Sequence, residues 1–156
     1  MESSLGISLG SNPFRVFGEI NYGARYPDLF ILMPFADEFR PIYEDHIKKV
    51  AEEIGIRCGR ADDIFSNRSI MSDIWSAINA AKILVADCTG RNPNVFYEIG
   101  IAHTLSKETI IITQKIDDIP FDLRHLRIIE YSYNPRGMIK FEDALKRTIQ
   151  NLLEKK

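Results

Sequence analysis

Three strand-length runs in this chain are almost wholly apolar: Leu29-Phe30-Ile31-Leu32-Met33, Ile83-Leu84-Val85-Ala86 and Thr109-Ile110-Ile111-Ile112-Thr113. None alternates polar with apolar residues, which is the pattern of strands covered on both faces. Between them lie segments of helical period. Ile47, Val50, Ala51 and Ile54 share one helix face, Lys48, Lys49, Glu52 and Glu53 the other, and Gly55 is placed to end that helix. Pro41 sits where a first helical turn tolerates it. Ser69 is expected to cap a second helix that buries Ile70, Ile74, Ala77, Ile78 and Ala81. Asn92, followed by Pro93, caps a third that runs through Val95, Ile99 and Ala102, and a fourth is expected over about residues 140–153. Two more mixed runs, residues 56–61 and 127–131, suit sheet edges.

Strands that alternate with helices require a parallel sheet with right-handed crossovers. Five of them imply the order 2-1-3-4-5 of a flavodoxin-like, three-layer α/β sandwich. Residues 28–156 form the single α/β domain on this reading. Residues 1–27 stand outside the repeat as an extension, either an added edge strand or a subunit-contact arm.

The chain has 156 residues, 45% hydrophobic and 27% charged, enough for one core and too short for two ordinary domains. A net charge of −2 argues against a nucleic-acid binder that works by neutralising phosphates. No apolar run approaches the roughly 18 residues of a membrane span. The segment MESSLGISLG lacks the basic and apolar regions of a secretory leader, so a cytoplasmic protein is expected. Cys58 and Cys88 read as free thiols, and His46, His103 and His125 include no close pair to seed a metal site. No G-x-G-x-x-G or P-loop pattern occurs, so neither cofactor nor metal is expected. Gly6-Ile7-Ser8-Leu9-Gly10 matches a nucleophile elbow in letters but lacks the core strand before it. Asn67-Arg68-Ser69 has the composition of a glycosylation sequon, with nothing to place the chain in the secretory route.

Ligands of open parallel sheets bind at the carboxyl ends of the strands, at the switch point. Here that crevice is expected between the loop Met33-Pro34-Phe35 and the segment from Asp87 to Glu98. The second segment holds the densest polar cluster: Asp87 at a strand end, the Thr89-Gly90 turn, and Asn94 and Glu98 on one side of a helix. Apolar neighbours Phe96, Ile99 and Ile101 would raise the pKa of Glu98. Asp62 and Asp63, after the second strand, can bind a cation or a sugar hydroxyl, or form a solvated turn.

Two stretches together resemble the nucleoside 2-deoxyribosyltransferase superfamily, in its standalone prokaryotic branch, which is related to TIR-like domains. They are Phe30-Ile31-Leu32-Met33-Pro34-Phe35 and the run Ala86-Asp87-Cys88-Thr89-Gly90-Arg91-Asn92-Pro93-Asn94-Val95-Phe96-Tyr97-Glu98-Ile99-Gly100-Ile101-Ala102-His103. The resemblance implies chemistry at the N-glycosidic bond of a nucleoside or nucleotide. It makes Glu98 the carboxylate that attacks the anomeric carbon or stabilises the oxocarbenium-like state. It places a second acid, which protonates the leaving base, on the helix before the third strand, where Asp73 stands; Asp62, Asp63 and Asp87 are the alternatives. Met33, Pro34 and Phe35 would border the base with Phe35 stacked on it, and free backbone N–H groups of Thr89 and Gly90 would face a sugar or phosphate. Asn94 would contact substrate from the helix. Family members complete their site across subunits, so a homo-oligomer is expected. Other readings are a non-catalytic nucleotide-sensing or self-association module and a TIR-like NAD hydrolase.

Overall fold

A computed structural model describes residues 14–20, 25–64 and 71–155. Ser69, Ile70, Phe65, the sequon and the Gly6–Gly10 pattern lie outside the described residues, as does most of the N-terminal extension. A short helix, α1 (Phe14–Phe17), precedes strand β1 (Leu29–Leu32). A π-helical turn, Ile42–Ile47, leads into α2 (Lys48–Ile54), then β2 (Cys58–Arg60) and α3 (Ala61–Ile64). Helix α4 (Met71–Ala80), β3 (Ile83–Asp87), α5 (Pro93–Thr104), β4 (Glu108–Thr113), β5 (Ile128–Glu130) and α6 (Pro135–Glu154) complete the chain.

The sheet has five parallel strands in the order β2-β1-β3-β4-β5, the expected flavodoxin-like arrangement. Strands β1 and β3 are central, every residue of both is buried, and Leu29 to Leu32 align with Ile83 to Ala86. Side chains alternate across the sheet. Leu29, Ile31, Val85 and Ile112 face a core closed by Val50 of α2 and by Phe141, Leu145 and Ile149 of α6. Phe30, Leu32, Ala86 and Ile111 face the other core, closed by Ile78 of α4 and by Val95, Ile99 and Ala102 of α5. Phe17 and Ile20 of the N-terminal segment rest on this second core, with Phe17 stacked on Trp75 at 5.1 Å between ring centroids.

The helix ends follow the sequence. Gly55 takes φ 85°, and its N–H donates to the carbonyls of Ala51 and Glu52, which closes α2. Asn92 caps α5 by accepting the N–H groups of Asn94 and Val95, with Pro93 in the first helical position. Helix α6 differs from expectation: it begins at Pro135 rather than near Lys140. Asn134 caps it by accepting the Gly137 N–H at 2.7 Å. Gly137 is needed because a Cβ there would lie 2.1 Å from the Ser132 carbonyl oxygen, so only glycine lets the helix start this close to the strand. Strand β2 is also shorter than expected, because Ala61 already turns into α3.

Candidate functional site

The carboxyl ends of the strands carry two polar networks, one on each side of the β1/β3 switch point. The first gathers around Arg60, the last residue of β2, which is fully buried. Its guanidinium binds Asp62 in bidentate fashion, Nε to Oδ1 at 2.6 Å and Nη2 to Oδ2 at 2.5 Å. It also lies 5.4 Å from the Phe35 ring centroid and 5.3 Å from that of Tyr43. This is a cation between two aromatic faces, closed at the edge by a carboxylate. Asp62 is shared with Arg40 at 2.8 Å, and Arg40 reaches Asp63 at 3.8 Å. The Tyr43 hydroxyl has its pKa raised by burial and by the nearby Asp63 carboxylate. Both acids after β2 are therefore spent on internal pairs. Met33 and Pro34 are buried, whereas Phe35 is 57% exposed, held from below by Arg60 with its other side open.

The second network ties β3, β4 and β5 together. Asp87 ends β3 fully buried. Its Oδ1 accepts the Thr89 N–H at 2.9 Å and its Oδ2 accepts the Tyr131 hydroxyl at 2.6 Å. Burial pushes the Asp87 pKa up, and the hydrogen bonds from Thr89 and Tyr131 pull against it without overcoming it. Thr89 Oγ1 accepts the Gln114 N–H at 2.9 Å. The Gly90 N–H donates to Asp118 at 2.8 Å, and Arg91 adds a bond to the Asp117 carbonyl at 2.6 Å. The backbone N–H groups of Thr89 and Gly90, expected to be free for a sugar or phosphate, are thus both engaged within the protein.

Glu98 stands apart from both networks. It sits on α5, half-buried, with no hydrogen bond or ion pair to any described residue. Burial alone raises its pKa from the ordinary 4.5 to about 7. Side-chain alternation sends Asp87 toward the layer of α2 and α6, while α5 covers the opposite face. Asp87 and Glu98 therefore approach the sheet edge from opposite layers. Asn94 is exposed in the first turn of α5. Asp73 is half-buried in the first turn of α4, which packs against α5, and has no partner among the described residues.

Among the described residues, Glu98 and Asp73 are half-buried carboxyl groups without a counter-charge, burial raises the Glu98 pKa to about 7, and Phe35 separately offers an aromatic face held by a buried arginine. The sequence singles out Glu98 and Phe35 as candidates but not Arg60 or Tyr131. Arg60 closes a mixed edge strand, and only the rings of Phe35, in the loop after β1, and Tyr43, in the π-helical turn, disclose its contacts. Tyr131 carried a weak signal as the aromatic that follows β5.

No family model and no curated protein matches the chain. Among solved structures it is similar to the TIR domain of the Toll-related receptor TRR-2 from Hydra magnipapillata. The two share 15% identity over 81% of this chain and 98% of that one, with a TM-score of 0.62. It is also similar to a 2-desoxiribosyltransferase from Leishmania mexicana, at 16% identity over 56% of this chain and 64% of that one, with a TM-score of 0.48. At 15% identity the likeness to the TIR domain establishes the shared fold alone, in keeping with the flavodoxin-like order of the sheet. No helix among the described residues is long and apolar enough to cross a membrane.

Proposed function

We propose that this protein acts on the N-glycosidic bond of a nucleoside or nucleotide, by hydrolysis or by 2-deoxyribosyl transfer, with Glu98 as the carboxylate at the anomeric carbon. The observation that carries this reading is the isolation of Glu98. A glutamate half-buried without a counter-charge is costly to keep ionised, and a folded chain has no structural use for it. Its cost is offset once an oxocarbenium-like centre develops against it. Phe35 supplies a flat apolar face for the base, immobilised by Arg60. Asp73, which stands where the resemblance puts the acid, protonates the departing base; Asp62 and Asp87 are held in internal pairs and Asp63 lies beside Arg40. Asp87 acts as a positioning residue: it holds the Thr89 turn to Tyr131 while α5 begins a few residues on. The working form is a homo-oligomer, and its substrate is a small molecule rather than a nucleic acid.

Incubation with a panel of nucleosides, nucleotides and NAD, read as free base by chromatography, tests this. Release of a purine or pyrimidine supports the proposal. Release of nicotinamide alone moves the assignment to an NAD hydrolase, and no release from any member contradicts both.

A further inference from the structure

Strand β5 is the sheet edge, and its pairing leaves one side open. Toward β4, Arg127 accepts the Ile111 N–H and Tyr131 donates to Thr113, while Ile129 aligns with Ile112. The N–H and C=O groups of Ile128 and Glu130 consequently point away from β4, and they have no partner among the described residues. Alongside this edge runs a groove of about 570 Å³ between β5 and α6. Its helix wall carries Arg136, Lys140, Ala144 and Arg147. From Arg136 to Arg147 it spans about 16 Å at the helical rise, room for about five extended residues. Arg147 is paired with Asp143 at 2.7 Å. Arg136 and Lys140, one turn apart and exposed, have no ion pair among the described residues. The Glu130 carboxylate is turned to the Ile116 N–H at 3.0 Å.

We propose that this groove takes an extended acidic peptide segment, which adds to β5 as a sixth strand. The open groups of Ile128 and Glu130 supply main-chain hydrogen bonds to any extended backbone. The two unpaired cations on the helix wall select carboxylates on the side chains that point toward α6. Ala144, small and on the same wall, leaves space for an apolar side chain at an alternate position. A second copy of this chain docking edge to edge is disfavoured, because it would bring its own Arg136 and Lys140 toward these.

The test uses the full chain and a labelled, end-capped heptapeptide that alternates valine with glutamate. Its controls are a valine–lysine counterpart and the acidic peptide N-methylated on one edge. Fluorescence anisotropy reads binding, and NMR hydrogen exchange reads the amides of Ile128 and Glu130. The acidic peptide should bind and slow exchange at both amides, and the lysine and N-methylated peptides should not bind. R136E combined with K140E, both exposed, should leave the urea midpoint in place and weaken binding at least about tenfold. The proposal is overturned by equal binding of acidic and basic peptides, or by no binding at millimolar peptide. Binding that leaves the two amides unprotected, or a dimer built on this face that the charge reversal dissolves, overturns it as well.

Discussion

The Tyr131 hydroxyl donates to the buried carboxylate of Asp87 at 2.6 Å and so joins the end of β3 to the chain leaving β5. Between them lies the whole of β4, so one hydrogen bond braces three strand ends at the edge where ligands of this fold bind. Tyr131→Phe removes the donor and leaves a buried carboxyl oxygen without it. The expected loss is about 1.5–3 kcal/mol of stability, read from urea unfolding. A change below about 0.5 kcal/mol would show that the contact does not brace the edge.

Arg60 and Asp62 form an asymmetric pair. Asp62 is partly exposed and keeps Arg40 if Arg60 is lost, whereas Arg60 is fully buried. Asp62→Ala should therefore cost about 3–5 kcal/mol, the scale of an uncompensated buried charge, and Arg60→Met clearly less. Thermal or denaturant unfolding of the two variants gives the order directly. The reverse order would mean that the aromatic sandwich, not the carboxylate, carries the pair.

At Gly137 an added methyl group would overlap the Ser132 carbonyl oxygen. Gly137→Ala should destabilise by about 1–3 kcal/mol, despite alanine's better helix propensity, because the start of α6 must move. Equal or higher stability of the alanine variant in urea would show that the helix start shifts without cost.

The raised pKa of Glu98 has a consequence for stability. The unfolded chain ionises this group near 4.5 and the folded chain near 7, so the folded state holds its proton more tightly. Its contribution is fully present below pH 4.5 and is lost as pH rises through about 7. Glu98→Gln should therefore be more stable than the wild type at pH 8, with the difference gone at pH 4. Parallel stability curves across that range would place the Glu98 pKa near its ordinary value.

How much of this was legible in the sequence depended on the range of the interactions involved. The central strands were readable because burial on both faces leaves a local mark, an unbroken apolar run. The start of α5 was readable because Asn92-Pro93 carries its own cap. Asn134-Pro135 carries the same signature, yet Gly137 in the next turn reads as a loop residue, and only the approach to Ser132 explains it. Glu98 stood out by motif, but its lack of a counter-charge is a property of packing. The pairing of Asp62 and Asp63 with arginines, and of Asp87 with Tyr131 across 44 residues, depends on tertiary contacts with no sequence period. For the same reason the engagement of the Thr89 and Gly90 N–H groups was not visible beforehand.

The central claim is that Glu98 reacts at the anomeric carbon, and it is tested most directly by the turnover of Glu98→Gln on whichever nucleoside or nucleotide the wild type cleaves. The amide fits the same half-buried position, so folding and substrate binding should persist. It can neither form a glycosyl ester nor stabilise a cation, so kcat should fall at least about 100-fold. The wild-type rate should rise with pH through about 7 as the carboxyl ionises. A variant that turns over at the wild-type rate would contradict the account.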